Sequence, residues 1–292
     1  MNMNRLTPTH GEGSPDTPDL ALWADAASKW VEQGDAIARV TREPSAILVD
    51  ALAPSKGQKL LDVASGVGDP ALALAEAVGR SGKVIATDAI PTMVAALRER
   101  AHERGLSDRM EIHHQVAEEL DFAGAELDGA SCRFGVMFFS DPIEACRRMA
   151  AAVRPGGRLV LVAWGPRDES PFFTSTMAVL DEVGAPELDS HPDSKTVFEF
   201  GEPGPLSTVC RQAGWKEIDD HLEPCRIWMG AAPEDLLATK ARLSDKVRER
   251  CEALDAPTLA RAAGLLAERT TGWTVDGVVA FPAKLRLVQA RA

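Results

Sequence analysis

Asp62-Val63-Ala64-Ser65-Gly66-Val67-Gly68-Asp69-Pro70 is the segment whose reading decides the fold of this chain. It follows the apolar run Leu60-Leu61-Asp62-Val63 and leads into a helical stretch at about 70–79, so it is a turn from a strand into a helix. Gly66 and Gly68 let the backbone turn tightly and approach a ligand, because a Cβ at either position would clash or forbid the required dihedrals. Outward from this turn, Val84-Ile85-Ala86-Thr87, Met110-Glu111-Ile112, Gly129-Ala130-Ser131-Cys132 and Leu159 to Ala163 read as four more strands. Helices at about 91–104 and 141–153 separate them, the second opened by Asp141 as N-cap and Pro142 at the first helical position. Strand and helix alternating at this period mean a parallel sheet, and the fold class is α/β, doubly wound.

Beyond that core the rhythm loosens. Residues 1–18 hold almost nothing to bury and read as a disordered tail. Residues 19–54 read as N-terminal cap helices, the first marked by Leu20, Leu22, Trp23, Ala26, Ala27, Trp30 and Val31 at helical spacing, with Pro44 near a turn boundary in the second. The α/β domain is expected over 55–230, with a helix near 205–213 and a strand around Lys216–Leu222. A helical insert over 231–272 is the expected lid, and 273–292 supplies a closing strand, which makes seven in all.

The chain has 292 residues, with 44 acidic against 32 basic side chains and a formal charge of −12. Such a surface repels phosphate backbones and anionic headgroups, which argues against nucleic acid or membrane as the main partner. The five cysteines are odd in number and widely spaced, without a C-x-x-C, so neither a disulfide framework nor a zinc site is expected. No histidine spacing offers a metal motif, and no apolar run approaches the ~20 residues of a membrane span. The N-terminus shows no signal-peptide pattern, and the expected location is cytoplasmic. There is no tyrosine, so no phenol side chain serves as acid, base or cation cage.

Twenty residues past Gly68 stands Asp88, at the carboxyl end of the second strand, where a carboxylate can accept hydrogen bonds from both hydroxyls of a ribose. A nucleoside ligand is implied. Gly66-x-Gly68-x-x-Ala71 alone would also satisfy a loose dinucleotide pattern, so an NAD(P)-dependent oxidoreductase stays open. Asp62 separates the two readings. A diphosphate over this turn gains nothing from a carboxylate four residues before Gly66, whereas a sulfonium ligand with an amino-acid tail has an ammonium to hold.

With these residues the sequence resembles the class I S-adenosylmethionine-dependent methyltransferases, in register from about Leu60 to Trp164. The first motif of that family stands as Asp62-Val63-Ala64-Ser65-Gly66-Val67-Gly68, its ribose acid matches Asp88, and Ala89 and Met93 follow where the family approaches adenine. Val116-Ala117-Glu118-Glu119-Leu120-Asp121-Phe122 matches the third motif, except that Val116 replaces the usual acid, leaving the adenine amino group to Glu118 or to backbone at Ala117. Arg154-Pro155-Gly156-Gly157-Arg158 matches the turn before the fifth strand. The resemblance implies a seven-stranded, mostly parallel Rossmann-like sheet with helices on both faces. It also implies S-adenosyl-L-methionine as cofactor, held by Asp62, Ala64, Ser65, Gly66, Gly68, Asp88, Ala89, Met93, Ala117, Glu118 and Arg133.

Within the class, Ser131 to Pro142 looks most like the menaquinone and ubiquinone C-methyltransferases and the small-molecule methyltransferases of secondary metabolism. The Asn/Asp-Pro-Pro-Tyr/Phe segment of DNA and protein amine methyltransferases is absent. A small, largely apolar metabolite is the expected acceptor, methylated on oxygen, carbon or nitrogen, with Trp23, Trp30, Phe138, Phe139, Trp164 and Phe173 as candidate contacts. Arg133, Asp141, His191 and His221 are the candidate catalytic groups, and a homodimer is possible. In-line methyl transfer depends mainly on positioning, and a base is needed only where the acceptor must lose a proton. A non-methylating binding or cyclisation protein on the same fold is the other alternative.

Overall fold

The computed structural model describes residues 18–187 and 197–292. The predicted tail, apart from its last residue, and His191 lie outside the described residues. Five strands run parallel: β1 (Lys59–Val63), β2 (Lys83–Asp88), β3 (Met110–His114), β4 (Leu127–Arg133) and β5 (Val153–Trp164). Two long strands complete the sheet, β6 (Lys216–Trp228) and β8 (Val278–Arg291), in the order β3-β2-β1-β4-β5-β8-β6. β8 runs antiparallel to both of its neighbours. The sheet is therefore mixed and mostly parallel, with Rossmann-like order.

Local sequence explains the elements. β1 is buried along Leu60-Leu61-Asp62-Val63, as a strand covered on both faces must be. Between the strands lie α4 (Ala71–Val78), α5 (Pro91–Glu103) and α6 (Pro142–Ala152). Asp141 caps α6 by accepting the Glu144 amide at 2.9 Å. The core fills with Leu60, Leu61, Leu74, Val84, Leu97, Leu159 and Leu161, all essentially inaccessible.

Three details differ from the sequence reading. The second N-terminal helix is two, α2 (Gly34–Val40) and α3 (Arg42–Leu52), broken at Thr41, and Pro44 falls inside the first turn of α3, where its missing N–H costs nothing. β6 continues past Leu222 to Trp228, because its pairing with β8 persists along the edge strand, where Cys225 and Ile227 are buried between exposed Pro224 and Arg226. A two-residue strand, β7 (Thr274–Val275), adds to β8 beyond the seven expected.

Of the remaining helices, α3 and the helix before β6 pack on the sheet, and the others roof the carboxyl ends of its strands. α1 (Pro18–Glu32) lies over α5 through a satellite cluster of Ala27, Val67, Ile90, Met93 and Ala96. α7 (Pro171–Glu182) follows β5, α8 (Pro205–Gln212) precedes β6, and the insert consists of α9 (Leu236–Leu243), α10 (Asp245–Glu252) and α11 (Ala256–Thr270). Ion pairs Lys29–Asp245, Arg250–Asp181 and Arg269–Glu182 tie α1 to α10, α10 to α7 and α11 to α7. Among the described residues, no helix is long and apolar enough to cross a membrane.

Candidate functional site

A cavity of about 700 Å³ opens where the strand order reverses, at the carboxyl ends of β1 and β4. Ligands of doubly wound sheets collect at this position because diverging connections leave a crevice there. Its walls come from the turn after β1, the ends of β2 and β4, the segment after β3, α1, α7 and the insert.

The glycine turn is built as the sequence requires. Ala64 and Gly66 take left-handed φ of 57° and 53°, and a Cβ on Gly66 would meet nothing within 4 Å, which leaves its face open to the cavity. Gly68, with φ 116°, does something else: a Cβ there would come within 2.6 Å of Leu97 and 2.7 Å of Leu72. It packs the turn onto α5 and α4 and is not on the cavity wall. Gly135 is tighter still, since a Cβ would lie 2.5 Å from that of Ala64 and 2.8 Å from the Cys132 sulfur.

Asp88 fixes the turn. Its Oδ2 accepts the Gly66 amide at 2.8 Å and its Oδ1 the Ile90 amide at 2.9 Å. Burial raises its carboxyl above the ordinary range, while the two amides oppose that rise. Each oxygen keeps a further lone pair, and the residue lines the cavity.

Asp62 lies one layer below the wall, not on it. Its Oδ1 accepts the Ser131 hydroxyl at 2.7 Å, whereas its Oδ2 is buried without a partner. Burial pushes this carboxyl up to about 6, with Ser131, Ser65 and the Arg133 charge holding it down. Arg133 donates to the Asp69 carbonyl at 2.6 Å and sits 3.5 Å from the Asp69 carboxylate, which in turn accepts the Ser45 hydroxyl at 2.7 Å. Burial lowers the Arg133 guanidinium, and Asp69 and Asp62 act against this.

The other expected cofactor residues, Ala64, Ser65, Ala89, Met93, Ala117 and Glu118, all line the cavity. Glu118 is already engaged, since its Oε1 accepts the Ser140 hydroxyl at 2.8 Å and the Asp141 amide at 3.1 Å. Gln115, which sequence reasoning missed, also lines it, and its side-chain oxygen is buried without a partner. Nothing in the sequence separates Gln115 from an ordinary strand-end glutamine.

The expected acceptor contacts Trp23, Trp30, Phe138, Phe139, Trp164 and Phe173 converge on the same cavity. Trp23 meets Trp30 and Phe138 edge to face, with both ring centroids at 5.1 Å, and so closes α1 over the end of β4. Phe134, itself at φ 59°, stacks on Trp164 at 4.1 Å, and Trp164 continues to Phe173 at 4.9 Å and Phe172 at 6.0 Å. Two of the catalytic candidates are not brought here. Asp141 is exposed and spent on capping α6, while His221 stands on β6, 3.2 Å from Asp219 and 3.6 Å from Glu223, away from the cavity. The distance is topological, because β6 lies at the far edge of the sheet from β1 and β4.

Lys240 of α9 and Thr176 of α7 were missed. Lys240 is 7% exposed and lines the cavity; its ammonium donates to the Phe172 carbonyl at 2.5 Å and lies 3.5 Å from the Phe172 ring centroid. The Thr176 hydroxyl is buried, lines the same cavity and has no partner. A signal for Lys240 was present: it falls on the apolar stripe Leu236, Leu237, Leu243 and Val247, where a solvated lysine does not belong. All five cysteines are free and buried, and among the described residues no cluster could hold a metal ion.

The chain is 27% identical over 190 residues to the ubiquinone/menaquinone biosynthesis C-methyltransferase UbiE of Klebsiella pneumoniae, a match covering 59% of this chain and 72% of that protein. Its fold resembles the YcgJ protein of Bacillus subtilis, with a TM-score of 0.51 and 20% identity over 85% of this chain and 97% of the other. It also resembles the [4+2]-cyclase SpnF, with a TM-score of 0.51 and 18% identity over 85% and 80%. The dinucleotide alternative falls with the family match, since the model of the ubiE/COQ5 methyltransferase family matches residues 39–219. With more than half of its length covered by that model, and the glycine turn, Asp88 and the β4 end set around one cavity, the chain belongs to the ubiE/COQ5 methyltransferase family.

Proposed function

We propose that the chain binds S-adenosylmethionine across the carboxyl ends of β1, β2 and β4 and transfers its methyl group to a small, ring-bearing, largely apolar acceptor. The single observation that carries this reading is the division of the cavity. One end is main chain and carboxylate, with Asp88 and Gly66, and the other is a continuous aromatic wall, with Phe134, Trp164 and Phe173.

The residues fit the cofactor on their own terms. Asp88 presents free lone pairs to a ribose diol while its amide bonds hold the turn beneath it. Gly66 leaves space that a Cβ would fill. The unpartnered Asp62 Oδ2, directly under the turn, supports an ammonium above it. The buried Gln115 oxygen supplies an acceptor for the adenine amino group that Val116 cannot. Bound there, the cofactor supplies a methyl group already activated by its sulfonium charge.

The protein's own part is positioning. Arg133, braced by Asp69, fixes the end of β4, while Trp23 and Phe138 cover the reaction zone and exclude water. Holding two reactants in line in a dry site is worth several kcal/mol of barrier. Calorimetry with S-adenosylhomocysteine tests the proposal. Binding by the wild type and weakened binding by Asp88→Ala are expected; no binding by the intact protein, or full binding by the variant, would refute it.

A further inference from the structure

The insert end of the cavity holds a cation that the reading above does not use. The ammonium of Lys240 meets the Phe172 carbonyl at 2.5 Å and the rings of Phe172 and Phe281 at 3.5 and 5.2 Å, and no carboxylate among the described residues reaches it. The charged groups on the elements packed around it are turned elsewhere. On α7, Asp181 pairs with Arg250 of α10 and Glu182 with Arg269 of α11. On α10, Asp245 pairs with Lys29 and Arg248, and Arg242 of α9 donates to Thr239. Lys284 of β8 pairs with Glu169, Arg286 of β8 with Asp220, and Glu234, Asp235, Arg261 and Glu268 are exposed. A buried cation without a counterion is costly, and it is costliest in an apolar chamber.

We infer that Lys240 is the group that binds the ring hydroxyl of the acceptor and takes its proton. Phe134, Trp164 and Phe172 follow one another from the end of β4 to Lys240, so the strand end and the ammonium stand on one cavity. The unpartnered Thr176 hydroxyl on the same wall gives a second oxygen of such a ring its hydrogen bond. Burial alone pulls the ammonium down to about 7, so the free amine is populated at neutral pH.

In the step itself, the O–H bond of the acceptor breaks, its proton goes to the lone pair of Lys240 Nζ and the oxygen keeps the electron pair. With S-adenosylmethionine bound, the oxyanion would form the bond to the methyl carbon while the methyl–sulfur electron pair leaves with sulfur; were the conjugated ring carbon the nucleophile, that carbon would afterwards lose its hydrogen as a proton to water and the oxygen would take a proton up. After product leaves, Lys240 returns its proton to water. This inference rests on the methyl-transfer reading for the donor, but not for the binding of the hydroxyl.

The probe is 4-nitrophenol, whose phenolate is coloured, titrated into the intact protein from pH 5 to 10 with and without S-adenosylhomocysteine. The wild type is expected to bind it as the phenolate, below the pH at which the free phenol ionises, with affinity that falls again above about pH 7 as the free lysine loses its proton. Lys240→Met is expected to weaken binding about tenfold or more and to abolish the shift in ionisation. Lys240→Arg is expected to keep the affinity for the anion but to level off at high pH. Nitrobenzene, which lacks the hydroxyl, is expected to bind wild type and variants alike. Affinity for S-adenosylhomocysteine on the same samples reports that each variant is folded. A wild type that does not bind the phenolate, or a Lys240→Met protein with unchanged affinity and ionisation, overturns this inference, whereas failure to bind the nucleoside overturns only the methyl-transfer reading.

Discussion

At the glycine-turn end the cavity wall is mostly main chain from consecutive residues, held by carboxylates that hydrogen-bond backbone amides. At the insert end it is mostly side chain, from α1, α7 and α9, elements more than 200 residues apart in sequence brought together by packing and ion pairs. The first end follows from local backbone geometry and tolerates few residue types at each position. The second depends on which single side chains a roof of helices carries. A family can hold the first constant and change acceptor by altering the second, because neither end supplies hydrogen bonds to the other's scaffold.

The contrast is sharpest if Asp88 is removed. Asp88→Ala strands two amides, at Gly66 and Ile90, along with the proposed ribose contacts, and S-adenosylhomocysteine affinity should fall about 100-fold by calorimetry. The insert end should respond in the opposite sense to losing its charge. Lys240 has a folded-state pKa pulled down from 10.5 to about 7, so the unfolded chain holds its proton through that window and the folded chain does not. Wild-type stability therefore rises with pH between about 7 and 10.5, and the penalty is complete below 7. Lys240→Met should raise stability on the order of 2 kcal/mol at pH 6, once the lost carbonyl and ring contacts are set against relief from burial, and the gain should shrink as pH rises above 7 and reverse before about pH 10.5 in urea denaturation.

Gly135→Ala tests how rigid the first end is. Its new Cβ meets Ala64 and Cys132, and a cost of about 1–2 kcal/mol in the same denaturation assay is expected, partly recovered by Ala64→Gly, which removes one side of the clash. Gln115→Leu should leave stability intact and reduce nucleoside affinity about tenfold, as loss of one hydrogen bond from a buried oxygen to the adenine amino group. His221→Ala should change neither stability nor turnover by more than about 0.5 kcal/mol, since it removes only partly exposed contacts to Asp219 and Glu223.

Most of the first end was legible before any coordinates. Asp62, Gly66, Gly68 and Asp88 stand at fixed spacings because a strand, a tight turn and a second strand end must meet one another, as the Asp88 bond to the Gly66 amide shows, and that requirement is local. Even there, sequence could not separate Gly66, open to the cavity, from Gly68, packed on Leu72 and Leu97, since both glycines read alike. Nor could it show that Asp62 lies one layer under the wall. His221 entered as a catalytic candidate by residue type and Asp141 by its place at the end of the fourth strand; strand order sets the first apart from the cavity, and the second serves as the helix cap that the sequence also suggested.

By itself, then, the sequence determined the α/β class, the first five strands and the glycine turn after the first of them, because hydrophobic period and glycine spacing act between near neighbours. Only the tertiary structure decided which polar groups on and under the cavity wall are buried without partners among the described residues, Asp62 Oδ2, the Gln115 oxygen and the Thr176 hydroxyl among them, and that the charge of Lys240 is desolvated. Desolvation depends on everything that surrounds a group in space. The surroundings of Lys240 come from α7, α10 and β8, parts of the chain that its own neighbours in sequence do not reveal.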